Sequence, residues 1–179
     1  MLINKPTFNS TKTSINYKMN SFKKRQKKVL IYSFLVILID QISKFLVLNT
    51  LGFDRSKNII PNLLNFTLVK NKGAAFSLLS NSTLFLTFTS ILASLLLIII
   101  ILKSPPRSYW NLIGLAYLLG GTIGNGIDRL LKGYVLDFLE LVPINFPIFN
   151  VADISINIAM ICFIVDIIRT RNESNINKL

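Results

Sequence analysis

The sequence predicts a membrane all-α protein with a small β element. It has four transmembrane helices, both termini cytoplasmic, and a small extracytoplasmic β platform built from two outward loops. Three observations predict this. Of 179 residues, 51% are hydrophobic and only 16% are charged, against roughly 45–50% and 25% in soluble domains. Four apolar stretches approach the roughly 20 residues a helix needs to cross a bilayer. Positive charge is divided unequally between the segments that join them, which sets orientation.

The first span is "VLIYSFLVILIDQISKFLVL", residues 29–48, and the second is the charge-free "TLFLTFTSILASLLLIIIIL", residues 83–102. "WNLIGLAYLLGGTIGNGI" gives the third at 110–127, and the fourth covers about 151–168. "KSPPRSY" breaks the second from the third. Eight Lys and Arg fall in the first 28 residues, two more are Lys103 and Arg107, and three (Arg169, Arg171, Lys178) follow the last span. Residues 49–82 and 129–150 together hold six. The termini are therefore expected in the cytoplasm. Residues 1–28 have no acidic residue and read as a basic, disordered tail, with a targeting leader as the alternative. Residues 29–170 form the membrane domain, and 171–179 a cytoplasmic tail.

The outward segments look strand-like. Leu64, Phe66 and Leu68 alternate with polar or small neighbours, the period of a strand. "GYVLDFLELVPINFPIFN" (133–150) is β-like and interrupted by Pro143 and Pro147. "NKGAAF" (71–76) groups small residues that permit close approach of another backbone.

Composition also excludes chemistry. The chain has no histidine and one cysteine, Cys162, which removes Ser-His, Cys-His and His-based zinc mechanisms. Cys162 lies in an apolar run and reads as a small buried hydrophobe. The net charge of +12 sits mainly in flanks, not on a basic face interleaved with aromatics, so no nucleic-acid partner is expected. Carboxylates remain. Asp54, Glu140, Asp166 and Glu173 read as solvated charges. Asp40 and Lys44, four residues apart inside the first span, meet on one helix face and read as a structural ion pair. Asp128, beside Arg129, reads as a helix-end anchor.

Asp137 and Asp153 fall in one outward interfacial layer. Two carboxylates held close share a proton, so one takes a proton from water while the other protonates a carbonyl oxygen. Sequence alone leaves separate structural roles open, and intramembrane Asp40 and Lys44 keep an ion path as a rival reading. "GGTIG" (120–124) has the small-xxx-small spacing of close helix packing, expected within the chain.

Five motifs, in order, carry a resemblance: "DQISK" (40–44), "NKGAAF" (71–76), "GNGIDR" (124–129), "VLDF" (135–138) and "FNVAD" (149–153). The chain resembles the lipoprotein signal peptidases (signal peptidase II), bacterial integral-membrane aspartyl proteases, over about residues 29–170. The resemblance implies removal of signal peptides from diacylglyceryl-modified prolipoproteins, just before the lipidated cysteine. It implies a monomer of the bacterial inner membrane with its site at the extracytoplasmic face, surrounded by membrane lipids and using no metal or other cofactor. Asp137 and Asp153 look like the catalytic pair. Asn71, Asn125, Arg129 and Asn150 look like residues positioning the pair or the substrate, Gly73 and Ala75 like a close-approach surface, and Asp40, Lys44 and Asp128 like structural polar residues.

Overall fold

The computed structural model describes residues 8–53, 55–73, 82–144 and 146–176, with side chains described over 19–173 of that set. Four helices and three strands follow in the order α1 (Phe8–Thr50), β1 (Ser56–Ile60), β2 (Leu64–Asn71), α2 (Thr83–Lys103), α3 (Tyr109–Lys132), β3 (Val135–Leu141) and α4 (Val151–Ile176).

α1 begins within the segment expected as a tail. The helix already runs from Phe8, because neither proline nor glycine occurs between Pro6 and Gly52 and the Lys-, Arg- and Gln-rich turns before residue 29 are good helix formers. Tertiary contacts hold the turn at Arg25 and Gln26. Arg25 Nη1 donates to the carbonyls of Pro106 (2.8 Å) and Arg107 (3.0 Å), and Gln26 Nε2 to those of Ile101 and Leu102. Both thereby satisfy carbonyls at the end of α2 and in the turn after it, groups left without helical partners.

Further along α1, the buried positions are Val29, Ser33, Val36, Asp40, Lys44 and Val47. They recur every three or four residues and so form one stripe. Every charged residue of the span lies in that stripe, while Phe34, Leu38, Ile42 and Phe45 face outward. Polar groups inside and apolar groups outside are what a hydrocarbon solvent demands.

Among the described residues, three helices are long and apolar enough to cross a membrane: Met19–Thr50, Thr83–Lys103 and Val151–Glu173. α3 has the length, with 24 residues or about 36 Å, but not the apolarity. Its position explains this. α3 packs against all three other helices and buries Leu112, Gly114, Leu115, Ala116, Leu119, Gly120, Gly121, Gly124, Asn125 and Asp128. A helix shielded by protein needs small residues for contact rather than a lipid-facing coat. Ideal Cβ atoms would come within 2.6 Å of Val36 on α1 at Gly120, and within 2.6 Å of the Ala152 carbonyl on α4 at Gly121. The "GGTIG" pattern thus serves packing inside the chain.

The strands form one antiparallel sheet, ordered β1-β2-β3, fed by the two segments expected to supply it. Leu68, Leu136 and Phe138 cover Val47 at the end of α1, and Phe66 meets Phe138 edge-on at 5.5 Å. Gly133 closes α3 in the left-handed region at φ 76°, which glycine adopts freely, and turns the chain into β3. Beyond β3, Phe149 bonds back to Leu139 in both directions. That return delivers Asn150 beside the strand and starts α4 there.

Candidate active site

The ends of α3 and α4, β3 and the last residues of β2 enclose a cavity of about 920 Å³. Its polar part holds Asn71, Gly73, Asn125, Arg129, Asp137 and Asp153, and Val69, Phe146, Pro147, Ile148, Ile154 and Ile156 supply apolar lining.

Asp137 is placed by sheet register. It faces Val69 across the β2–β3 ladder, so Asn71, two residues on, shares its face and reaches it diagonally. Asn71 Nδ2 donates to Asp137 Oδ2 at 2.8 Å, and its Oδ1 accepts from the Gly73 amide at 2.9 Å. Asp153 is placed by a helix cap. Asn150 Oδ1 accepts from the Asp153 amide (3.0 Å), and Asp153 Oδ2 accepts from the Asn150 amide (3.1 Å). This is the reciprocal box that closes a helix N-terminus, in an N-x-x-D form legible in "NVAD".

Asn150 joins the two carboxylates. Fully buried, it also donates Nδ2 to Asp137 Oδ1 at 2.6 Å and to Asn125 Oδ1 at 3.0 Å. Asn125 Nδ2 in turn donates to Asp153 Oδ1 at 2.8 Å. Each carboxylate is therefore held by asparagine amides. Burial first, and the negative charge of Asp153 second, push Asp137 from the ordinary carboxylate range up to about 7. A proton is thus available on this pair near neutral pH.

Lys44 underlies this layer. Its Nζ lies 2.9 Å from both Asp40 Oδ2 and Asp128 Oδ2, and donates to Asn125 Oδ1 at 3.1 Å. Asp40 Oδ1 accepts from the Ala152 amide at 2.9 Å, so a carboxylate of α1 caps α4. The expected Asp40–Lys44 pair is present, and it reaches further than i,i+4 spacing implies. Asp128, expected as a helix-end anchor beside Arg129, binds Lys44, Lys132 (2.7 Å) and the Leu136 amide. Its neighbour Arg129 instead donates to the Gly73 carbonyl at 3.2 Å. Successive helical residues point in different directions, so adjacency in sequence does not pair them.

Gly73 thus meets Asn71 and Arg129 through backbone, while Ala75 lies outside the described residues. Glu140 accepts from Thr67 and Asn65 across the sheet, and Asp166 accepts from Ser108. Asp54 lies outside the described residues. Among the described residues no buried side-chain nitrogen or oxygen lacks a partner, and no three Cys, Asp or Glu side chains converge as a metal would require. Sequence reasoning missed Phe146, whose only signal was an aromatic between two prolines.

The family model described as signal peptidase (SPase) II matches residues 32–169. Among relatives, the lipoprotein signal peptidase of Parasynechococcus marenigrum (strain WH8102) is 47% identical over 140 residues, spanning 78% of this chain and 88% of that protein. That of Enterococcus faecalis (strain ATCC 700802 / V583) is 38% identical, over 76% and 84%. A solved bacterial membrane enzyme superposes with a TM-score of 0.74 at 30% identity, covering 81% of this chain and 90% of that one.

Proposed function

Because the chain belongs to the signal peptidase II family, we propose that it is a membrane aspartic endopeptidase that removes signal peptides from diacylglyceryl-modified prolipoproteins, cutting just before the lipidated cysteine. Asp137 and Asp153 are the catalytic pair. The observation that carries the reading is Asn150, which holds one oxygen of each carboxylate at the polar end of the cavity.

In the mechanism, a water sits between the carboxylates. The ionised one takes a proton from it as the oxygen attacks the scissile carbonyl. The protonated one donates its proton to the carbonyl oxygen, leaving a neutral tetrahedral diol. The first carboxyl then gives its proton to the nitrogen while the second takes one from a diol hydroxyl; the C–N bond breaks, the amine leaves, the carboxylic acid forms and the pair returns to its starting state. Burial and repulsion keep a proton on Asp137 near pH 7, which suits the acid role at the outset.

α3 is the fourth span in this reading, with both termini cytoplasmic and the sheet outside the inner membrane. The scissile bond of a lipid-anchored peptide then arrives at the depth of the cavity. An extended peptide there needs its backbone satisfied by protein. Asn71, Arg129 and the Gly73 backbone supply donors and acceptors, and the apolar lining takes the side chains and lipid. The domain extends over about 29–170, and one chain contains every residue invoked.

The test is cleavage by purified wild type, Asp137→Asn and Asp153→Asn, offered a prolipoprotein with and without its diacylglyceryl group. Wild type should cut only the lipidated form. Each variant should lose at least about 10²–10⁴-fold in rate while folding normally. Near wild-type cleavage by either variant would reject the pair.

A further inference from the structure

The opposite end of the bundle carries a second, smaller cavity of about 250 Å³, lined by Ser21, Lys24, Arg25, Lys28, Ser108 and Tyr109. Lys28 precedes Lys44 by 16 residues, so this cavity lies about 24 Å along α1 from the carboxylate network. We propose that it binds the phosphodiester headgroup of an anionic membrane phospholipid.

Spacing makes it a built face. Ser21, Lys24, Arg25 and Lys28 stand at i, i+3, i+4 and i+7 on one side of α1, and that side meets the first turn of α3. Arg25 is held in place by its two bonds to the α2–α3 turn, so part of the ordering cost of binding is already met.

Charge makes it an anion site. Lys24 and Lys28 are like charges four residues apart, and Arg25 and Lys28 three apart, spacings at which repulsion weakens a helix. No acidic residue precedes Asp40. Among the described residues, Lys24, Arg25 and Lys28 have no ion-pair partner. Asp166 touches Ser108 but does not line the cavity. Three cations therefore converge on one space without a carboxylate in it.

Depth makes the anion a lipid. Leu112 reaches this cavity and also belongs to the apolar cluster of Val29, Ile101 and Ala116. The cavity thus opens where apolar packing stops. Tyr109 is 69% exposed there and stacks edge-on with Trp110, over which Arg169 lies. Tyr and Trp at that level mark the headgroup layer.

The test is native mass spectrometry of the full chain, delipidated in detergent and offered phosphatidylglycerol, phosphatidylcholine or inorganic phosphate. Wild type should retain phosphatidylglycerol over phosphatidylcholine, and millimolar phosphate should not displace it. Lys24→Gln/Lys28→Gln should weaken that binding by about thirtyfold, the combined contribution of two basic residues beside anionic lipid. Lys23→Gln/Lys27→Gln removes the same charge from α1 outside the cavity and should leave occupancy within about twofold, because contact in the cavity and not net charge near the surface holds the lipid. Equal loss in both pairs would replace the site with diffuse attraction. Displacement by phosphate, or equal retention of phosphatidylcholine, would overturn the lipid assignment. None of these readouts depends on peptide cleavage.

Discussion

Replacing Lys44 with methionine removes the cation at the centre of the polar stripe while keeping an unbranched side chain of similar length. Lys44 is 1% exposed, and its partners Asp40 and Asp128 are fully buried. Asp128 would keep Lys132. Asp40 would keep only uncharged donors, Gln41 Nε2 and the Ala152 amide. A buried charge stripped of its partner costs about 3–5 kcal/mol. For a chain of this size each kcal/mol moves Tm by about 2–4 °C, so Lys44→Met should melt about 6–20 °C below wild type, by the same conversion. Trp110, the only tryptophan, provides the fluorescence readout in detergent. Adding Asp40→Asn should recover part of the loss, because the double variant no longer buries an uncompensated Asp40. A Tm within 2 °C of wild type for Lys44→Met, or strictly additive losses in the double variant, would refute the claim that the pair is coupled.

Gly121→Ala drives a Cβ into the Ala152 carbonyl, a backbone atom at the first turn of α4. It should cost about 1–3 kcal/mol and lower cleavage by shifting Asp153. Gly126→Ala meets only Ser90 Cβ at 3.4 Å and should be neutral or stabilising by up to about 1 kcal/mol; paired melting curves read the contrast. Asp137 gives a pH signature. Its folded value of about 7 lies above the ordinary 3.8, so between these the folded chain holds a proton that the unfolded chain has lost. Stability from this group is complete below about pH 4, falls by up to about 1.4 kcal/mol per pH unit, and is flat above pH 7. The Tm of wild type relative to Asp137→Asn should decline across that window and no further. Cleavage should also fall as pH rises beyond about 7, where the acid of the pair is lost. Asn150→Ala removes both the cap of α4 and the bond to Asp137, and should lose about 0.5–2 kcal/mol from the cap together with most of the cleavage rate.

Periodicity carried the parts of the fold that depend on local sequence. Three apolar spans among the described residues were legible because lipid imposes apolar runs, and β2 because Leu64, Phe66 and Leu68 alternate with polar neighbours. The docking of α1 at Arg25 and Gln26 was not legible, since it depends on carbonyls some 75–82 residues away. α3 illustrates the limit from the other side. Its glycines, Asn125 and Asp128 weaken its apolar signal because protein surrounds it, and surroundings are not written in a window of sequence.

At the site, residue types were legible and their bonds only partly. Asp40–Lys44 follows from helix spacing, and the Asn150–Asp153 box from N-x-x-D. The link between Asp137 and Asp153 follows from neither. It needs β2 to hold Asn71 opposite β3, and the return through Phe149 to bring Asn150 under the strand. Both depend on register, which a one-residue slip would reverse by turning Asp137 to the other face. The asparagines explain why the layer is built this way. A cation beside both carboxylates would favour their ionised forms, whereas an amide holds a carboxylate in place without adding charge. Lys44 therefore binds Asp40 and Asp128 and reaches the pair through Asn125. Asp137 is thus held by the amides of Asn71 and Asn150, at the value of about 7 that burial and Asp153 give it.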